Sequence, residues 1–553
     1  MIEEGSQLAN DFWILLAMVI YFAAMLSIGF IYSKRSNSSS KEYFAGGRGV
    51  GPWLTALSAE ASDMSGWLLM GLPGLAYFTG AADPMWTAIG LALGTYLNWK
   101  LVARRLRRYS VVAGDAITIP DFFAKRFHDK KGVVSTIAAV IILVFFSVYV
   151  GSCFVTVGKL FATLFGFDYH VMMIIGAVVV FVYTVVGGYL SVVMTDFIQG
   201  MLIFFALAVV FIGTVASAGG IDNTVEFLRA IPGYLSGTQV AAPKLDPATG
   251  QQLVEAGKAV FGAPSDYGII TIISMLAWGL GYFGMPQVLV RFLSIRSVEE
   301  VRKSRIIATS WCVISLGCAV CIGLVGRAMM PTELLTSTDA ETIFIVLAQT
   351  LLPSFMCGVV VSGIFAASMS SSSSYLIIGA SAMGENIFRG LLHRKATDKQ
   401  VMIVARVTLV VMFLFGILVA YDQNSSIFQV VSYAWAGLGA SFGPLMLCSL
   451  YWRRANKAGA VAGMLSGTAA VLIWHNLVKP LGGVFAVYEL LPAFIISLLF
   501  IVVVSLLTAK PNERMLYEFD HYMDDPLPGT LPSGTVLVDE PMEAMESEAC
   551  SVK

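Results

Sequence analysis

Charge is scarce in this chain. Only 13% of its 553 residues are Asp, Glu, Lys or Arg, about half the share of a soluble globular protein. The net charge of −1 supplies no basic face for nucleic acid. Histidine is rarer still, with 5 residues scattered without ligand spacing, and the 7 cysteines are an odd number. Six of them (Cys153, Cys312, Cys318, Cys321, Cys357, Cys448) lie in apolar runs. This excludes a disulfide or zinc framework and leaves them as small packing residues. A nucleophile, a base and an orienting group never occur together, so no enzyme and no organic cofactor is expected. The start of the chain lacks the basic residues and small-residue cleavage site of a signal peptide, so the first apolar run is expected to stay in the mature protein.

Apolar residues take the place of charge: 57% of the chain, with a mean hydropathy of +0.77. They come in repeated runs of roughly 20 residues, the length that crosses a bilayer core as a helix. A barrel strand would alternate polar and apolar residues instead. The reading is an all-α polytopic membrane protein whose solvent is the lipid bilayer. About thirteen transmembrane helices are expected, near 12–32, 51–80, 84–103, 132–164, 171–190, 194–217, 267–291, 306–328, 341–384, 402–420, 427–451, 457–476 and 488–508. The fourth and ninth are longer than one crossing requires.

Basic residues set the orientation. Most of the 35 Lys and Arg residues fall after odd-numbered segments: at Lys34 to Arg48, Arg104 to Lys131, Arg291 to Arg305, Arg389 to Arg406 and Arg453 to Lys457. This places residues 1–11 outside and the C-terminus in the cytoplasm. Residues 218–266 read as a polar external loop. Residues 509–553 read as an acidic, proline-containing tail, disordered or loosely docked.

Two segments break the apolar rule. The second carries ASDMSGW followed by GLPG, and the seventh carries LAWGLGYFGMP (Leu276 to Pro286). Glycine-interrupted segments at corresponding positions of two halves point to a transporter site, where unwound carbonyls meet an ion. Glycines in membrane helices also serve close packing. Asp63 is harder to assign to packing, because a carboxylate near the bilayer centre costs roughly 2.5–3.5 kcal/mol and marks ion or substrate pathways. Glu60, one turn earlier, is expected nearer the interface or against a neighbouring helix. In the ninth segment, Ser368 to Ser374 holds six serines in seven positions. Ala367, Ser370 and Ser371 share one helical face, and hydroxyl and carbonyl oxygens suit a hard cation such as Na⁺. The alternative is that the serines bond back to their own helix. Trp278, Tyr282 and Pro286 fall at i, i+4, i+8, as packing or as one wall of a small-solute pocket.

Assembled, these stretches resemble the sodium:solute symporter family over about residues 12–508. The likeness is carried by GGRGVGPWLTALSAEASDMSGWLLMGLPG, LNWKLVARRLR, IPDFFAKRF, GGYLSVVMTDFIQ, AWGLGYFGMP and VSYAWAGLGASFGP. The resemblance implies a leucine-transporter-like core of two inverted five-helix repeats, at about 51–217 and 267–451, in a bacterial plasma membrane. It implies Na⁺ as the co-transported ion, held by the carbonyls of Ala61, Met64 and Ala367 and the hydroxyls of Ser370 and Ser371. Asp63, Arg48 and Asp196 would serve sodium coupling. Ser65, Gly66, Trp67, Tyr149, Trp278, Tyr282 and Pro286 would meet the solute, with L-proline the foremost candidate. The rival readings are a symporter of another amino acid, a sugar, pantothenate or a carboxylate, a symporter-like membrane sensor, and a passive channel.

Overall fold

The computed structural model describes residues 2–36, 43–44 and 48–524. Several helices begin where the sequence supplies a capping oxygen. Thr118 accepts from the Asp121 amide, Asp168 from the Val171 amide, and Thr397 with Gln400 forms a reciprocal capping box at Asp398–Val419. Among the described residues, nine helices are long and apolar enough to cross a bilayer. A tenth span forms if Ile269–Gly284 and Pro286–Ser294, bent by 44°, are taken together. The other three expected segments are present but short or broken: Pro52–Asp63 with Trp67–Thr79, Ala82–Asn98, and Tyr169–Val185. Helix length and composition alone therefore do not reach thirteen.

The boundaries follow local chemistry. The fifth and sixth segments were expected to part between 190 and 194, but the chain turns at Gly188, whose φ of +67° and ψ of 179° suit glycine alone. The overlong ninth segment resolves into Ile343–Leu351, a turn at Leu352 and Pro353, and a helix running from Ser354 to Leu392. Proline cannot donate to a preceding turn, so the break falls there. The fourth stays one 33-residue helix, Val133–Phe165.

Residues 218–266 form a cap with structure of its own. It holds helix Ile221–Arg229 and two antiparallel strand pairs, in which Gln239 faces Asp266 and Val254 faces Ala259. Buried Tyr234 pins the cap by donating to the Ala76 and Tyr77 carbonyls, both at 2.9 Å. At the opposite, basic end, three arginines assigned to loops by sequence lie inside: Arg108, Arg126 and Arg291 are 4%, 0% and 1% exposed. Arg126 donates to the Ser449 carbonyl at 3.0 Å and stands 5.2 Å from both the Tyr109 and Phe519 rings. A delocalised guanidinium accepts such aromatic company. The start of the tail is docked there too. Helix Glu513–His521 is held by Arg453 on Asp520, and Tyr522 stacks on Tyr109 at 4.5 Å. Residues 525–553 lie outside the described residues.

Candidate ion and solute site

Helix Pro52–Asp63 ends because Met64 leaves helical geometry (φ −84°, ψ 75°); winding resumes as a π-helix over Trp67–Gly71 and becomes α-helical from Leu72. In a continuous helix the Ser65 amide would bond the Ala61 carbonyl. It turns to the Asp63 carbonyl instead, at 3.0 Å. The Ala61 carbonyl meets the ninth segment, accepting from Ser370 Oγ at 2.6 Å and from Ser371 Oγ at 3.4 Å. Ser370 Oγ also lies 3.1 Å from the Ala367 carbonyl. Four of the five oxygens expected to hold the ion thus come together, and Met64, the fifth residue, sits buried in the break. Neutral carbonyls and hydroxyls form an environment for a hard cation. Among the described residues there is no group of three His, Cys, Asp or Glu able to hold a metal.

The serine run divides its work. Ser372 and Ser373 bond back to the Ser368 and Ser370 carbonyls of their own helix. Ser370 and Ser371 face the broken second segment, and Ser374 accepts from Arg291 at 2.7 Å. Back-bonding to the helix thus occurs at Ser372 and Ser373, and at Ser370 too, which donates both to its own Ala367 carbonyl and across to Ala61.

Three of the buried acids lie on the second and sixth segments. Asp63, 1% exposed, accepts from Gln287 Nε2 at 3.1 Å through one carboxylate oxygen. Glu60 is 2% exposed and faces Trp99, so it does not sit at the interface; it is turned toward a neighbouring helix. Asp196 accepts from Ser58 Oγ at 2.7 Å and pairs with Arg291 at 3.0 Å. Arg291 also donates to Ser58 Oγ and the Gln287 carbonyl, at 3.1 and 2.9 Å. One guanidinium thereby joins helices 52–63, 187–217, 286–294 and 354–381. Sequence reasoning missed it because an arginine at a segment end reads as a loop charge; the aspartate and serines that receive it are far away in the chain.

Arg48 is not part of this group. It pairs with Asp115 at 2.8 Å and donates to the Ala116 carbonyl at 3.2 Å, at the basic end. Burial lowers its guanidinium pKa, and the Asp115 charge partly offsets that.

An aromatic cluster covers the breaks. The Trp67 and Trp278 rings are 6.3 Å apart, Trp278 and Trp435 also 6.3 Å, and Tyr282 and Trp435 5.0 Å edge-on. Trp435 Nε1 donates to the Trp278 carbonyl at 2.9 Å. Tyr149 packs on Tyr375 at 4.4 Å. The hydroxyls of Ser65, Tyr149, Tyr282 and Tyr375 are buried and close no hydrogen bond of normal geometry. Gly66 lets this wall form, since a Cβ there would lie 2.2 Å from Thr156 Oγ1. Trp435 and Tyr375 were not foreseen, because a lone aromatic in an apolar helix gives no signal of which way it faces. Pro286 departs from the expected stripe. Met285 is extended (φ −79°, ψ 109°), which breaks the helical register after Tyr282. Pro286 instead lines a separate cleft with Phe44, Thr118, Ile119, Val290 and Asn386.

A helix bundle with two centrally broken spans, and an all-oxygen cluster beside one of them, is built as a cation-coupled secondary transporter. Its family is shown by the sequence as a whole. The chain belongs to the sodium:solute symporter family, which matches residues 43–467. It is 41% identical over 500 residues to the osmoregulated proline transporter OpuE of Bacillus subtilis (strain 168), covering 90% of this chain and 95% of that protein. It is likewise 41% identical over 514 residues to the sodium/proline symporter of Staphylococcus aureus (strain JH9), covering 92% and 95%. Among solved structures, a substrate-bound, outward-open Na⁺-coupled sialic acid symporter matches with a TM-score of 0.72 at 20% identity, covering 91% of this chain and 99% of that one. Mhp1, a nucleobase-cation-symport-1 family transporter, matches with a TM-score of 0.50 at 13% identity, covering 88% and 99%. The fold is therefore the expected leucine-transporter-like one, in a multi-pass membrane transporter coupled to Na⁺.

Proposed function

We propose that this protein imports L-proline, driven by inward Na⁺ flow through alternating access. The observation that carries the reading is the Ala61 carbonyl, released by the break at Met64 and presented to Ser370 and Ser371 beneath the Trp67, Trp278 and Trp435 rings. The names of the two relatives support proline as the solute. In this reading Na⁺ is cargo, held by oxygens of Ala61, Met64, Ala367, Ser370 and Ser371. Trp67, Trp278 and Tyr282, with Ser65, Gly66 and Tyr149, form the solute wall. Pro286 shapes the path to the basic end rather than the wall.

Coupling needs bound Na⁺ to favour the solute-competent arrangement, and solute then raises Na⁺ affinity by the same factor. A single hydroxyl pair reaching across from the ninth segment to the broken second provides the link. When Na⁺ occupies the cluster, it bridges the two segments and fixes the break that carries Ser65 and Gly66. Two ion pairs close the ends. Arg291 and Asp196 latch four helices toward the basic end. At the other end, buried Lys159 pairs with Glu341 at 2.7 Å, and Glu341 also accepts from the Ile427 and Phe428 amides. Passage in either direction requires one of these latches to release.

In our reading the basic end is cytoplasmic and residues 218–266 are external, with repeats at about 51–217 and 267–451, in a bacterial plasma membrane. Competition of labelled proline uptake by other amino acids, sugars, pantothenate and carboxylates tests the solute. Proline should compete best by at least about tenfold, or 1.4 kcal/mol. Stronger competition by another class would reassign the substrate and leave sodium symport standing.

A further inference from the structure

Helix Leu490–Leu507 and the residues just before it lie outside both repeats, yet one of those residues reaches the aromatic cluster. Tyr488, 3% exposed, stacks on Trp278 with ring centroids 4.9 Å apart and an interplanar angle of 18°. Phe428, Trp67 and Trp435 also meet the Trp278 ring, at 5.2, 6.3 and 6.3 Å, but inclined by 30–36°. Tyr488 is the nearest and most nearly parallel of the four, and stacked rings attract beyond the area they bury.

Tyr488 is held at both ends. Its backbone N–H donates to Ser274 Oγ at 2.6 Å, and its hydroxyl donates to the Ser432 carbonyl at 2.7 Å. Ser274 stands four residues before Trp278 in the broken seventh segment, and Ser432 three residues before Trp435 in helix Ile427–Tyr451. Trp435 Nε1 in turn donates to the Trp278 carbonyl at 2.9 Å, which closes the circuit. The residues that follow Tyr488 are anchored as well. Glu489, 0% exposed, pairs with His475 at 3.0 Å and Lys479 at 2.8 Å. Leu490 reaches Gly439, where a Cβ would lie 3.0 Å from Leu490 Cδ1 and 2.8 Å from Gly281 Cα. The thirteenth segment is thereby pressed against the seventh and eleventh at the level of the cluster.

We propose that Tyr488 is a positioning residue for the solute pocket: it fixes the Trp278 ring and so sets the ring size of the cyclic amino acid that is admitted. Protein interiors are close-packed, and Trp278 yields to a wider solute once the ring stacked on it is taken away. A rigid apolar wall discriminates by size, one methylene being worth about 10–200-fold. For a five-membered cyclic amino acid, that discrimination falls on its six-membered homologue. This rests on the proline reading above, with Trp278 in the solute wall.

The test is labelled proline uptake into proteoliposomes under an inward Na⁺ gradient, competed by unlabelled proline and by pipecolate, its six-membered-ring homologue. The quantity read is the ratio of their half-inhibitory concentrations. Tyr488→Ala should lower that ratio in favour of pipecolate by about tenfold, the equivalent of 1.4 kcal/mol. Tyr488→Phe, which keeps the ring, should keep the wild-type ratio. Tyr488→Leu, which lacks a planar face but fills more of the space, should shift it in the same direction as Ala and serves where Tyr488→Ala does not assemble. A merely structural role would lower total uptake and leave the ratio where it was, so an unchanged ratio in Tyr488→Ala or Tyr488→Leu overturns the proposal. A Tyr488→Phe that shifts as far as Tyr488→Ala also overturns it, by assigning the effect to the hydroxyl. In both cases proline remains the preferred competitor of the wild type. A wild type on which neither proline nor pipecolate competes instead overturns the proline reading, and the role of Tyr488 with it.

Discussion

Arg291 Nη2 and Asp196 Oδ2 lie 3.0 Å apart in an interior that leaves their side chains 1% and 0% exposed. Removing one partner of a buried pair strands the other charge, at a cost of about 3–5 kcal/mol. Arg291→Ala and Asp196→Ala should each lower the thermal unfolding temperature in detergent sharply, and the double variant should lose much less than their sum. Additive losses in this cycle would mean the pair does not act as a unit.

Ser370 is the hydroxyl nearest the released Ala61 carbonyl, and Ser371 the second. Ser370→Ala should raise the Na⁺ concentration for half-maximal uptake by about tenfold or more, the equivalent of 1.4 kcal/mol. Ser371→Ala should do so less, and Ser371→Thr should restore it, since threonine keeps the oxygen. Proline affinity should weaken in parallel, by linkage. Sodium activation curves that superimpose on wild type would contradict the assignment. Ser372→Ala and Ser373→Ala, whose hydroxyls bond back to their own helix, are the internal controls.

Gly66 tolerates no side chain, because a Cβ would meet Thr156 at 2.2–2.7 Å. Gly66→Ala should cost about 1–3 kcal/mol in overpacking and depress uptake, and Thr156→Gly in the same chain should recover part of both. Failure of that rescue would place the role of Gly66 in backbone conformation instead of close approach.

The docked tail responds to pH in a defined direction. The hydrogen bond and charge of Arg453 hold the Asp520 carboxyl below its ordinary value. Its contribution to docking is therefore complete above the unfolded carboxylate range near pH 4 and is lost as pH falls through the depressed value. Because the pair is exposed, the effect is small. Hydrogen exchange of helix Glu513–His521 should be the same at pH 6 and pH 7.5 and faster only in acid, with Asp520→Asn removing part of that acid response. Loosening already at pH 6 would point to another group.

Apolar run length carried the membrane architecture, because a bilayer demands it of every spanning helix. The two broken spans were visible for the same reason: a carboxylate and clustered glycines have no place in a plain span. The facing of Ser370 and Ser371 was legible from their i, i+3, i+4 spacing with Ala367. Arg291, Trp435 and Tyr375 were not, since each owes its position to partners between about 95 and 230 residues away. The Pro286 stripe failed because helical spacing was carried through Met285, where the chain is extended. Gly188 and Pro353 moved boundaries that hydropathy alone blurs.

Sodium-driven accumulation tests the central claim most directly. The measurement is labelled proline uptake into proteoliposomes, with and without an imposed inward Na⁺ gradient, for wild type and Asp63→Asn. The expected result is concentrative uptake by wild type only when the Na⁺ gradient is present, and its loss in a folded Asp63→Asn. Equal uptake without the gradient, or concentrative uptake by the variant equal to wild type, would contradict the account.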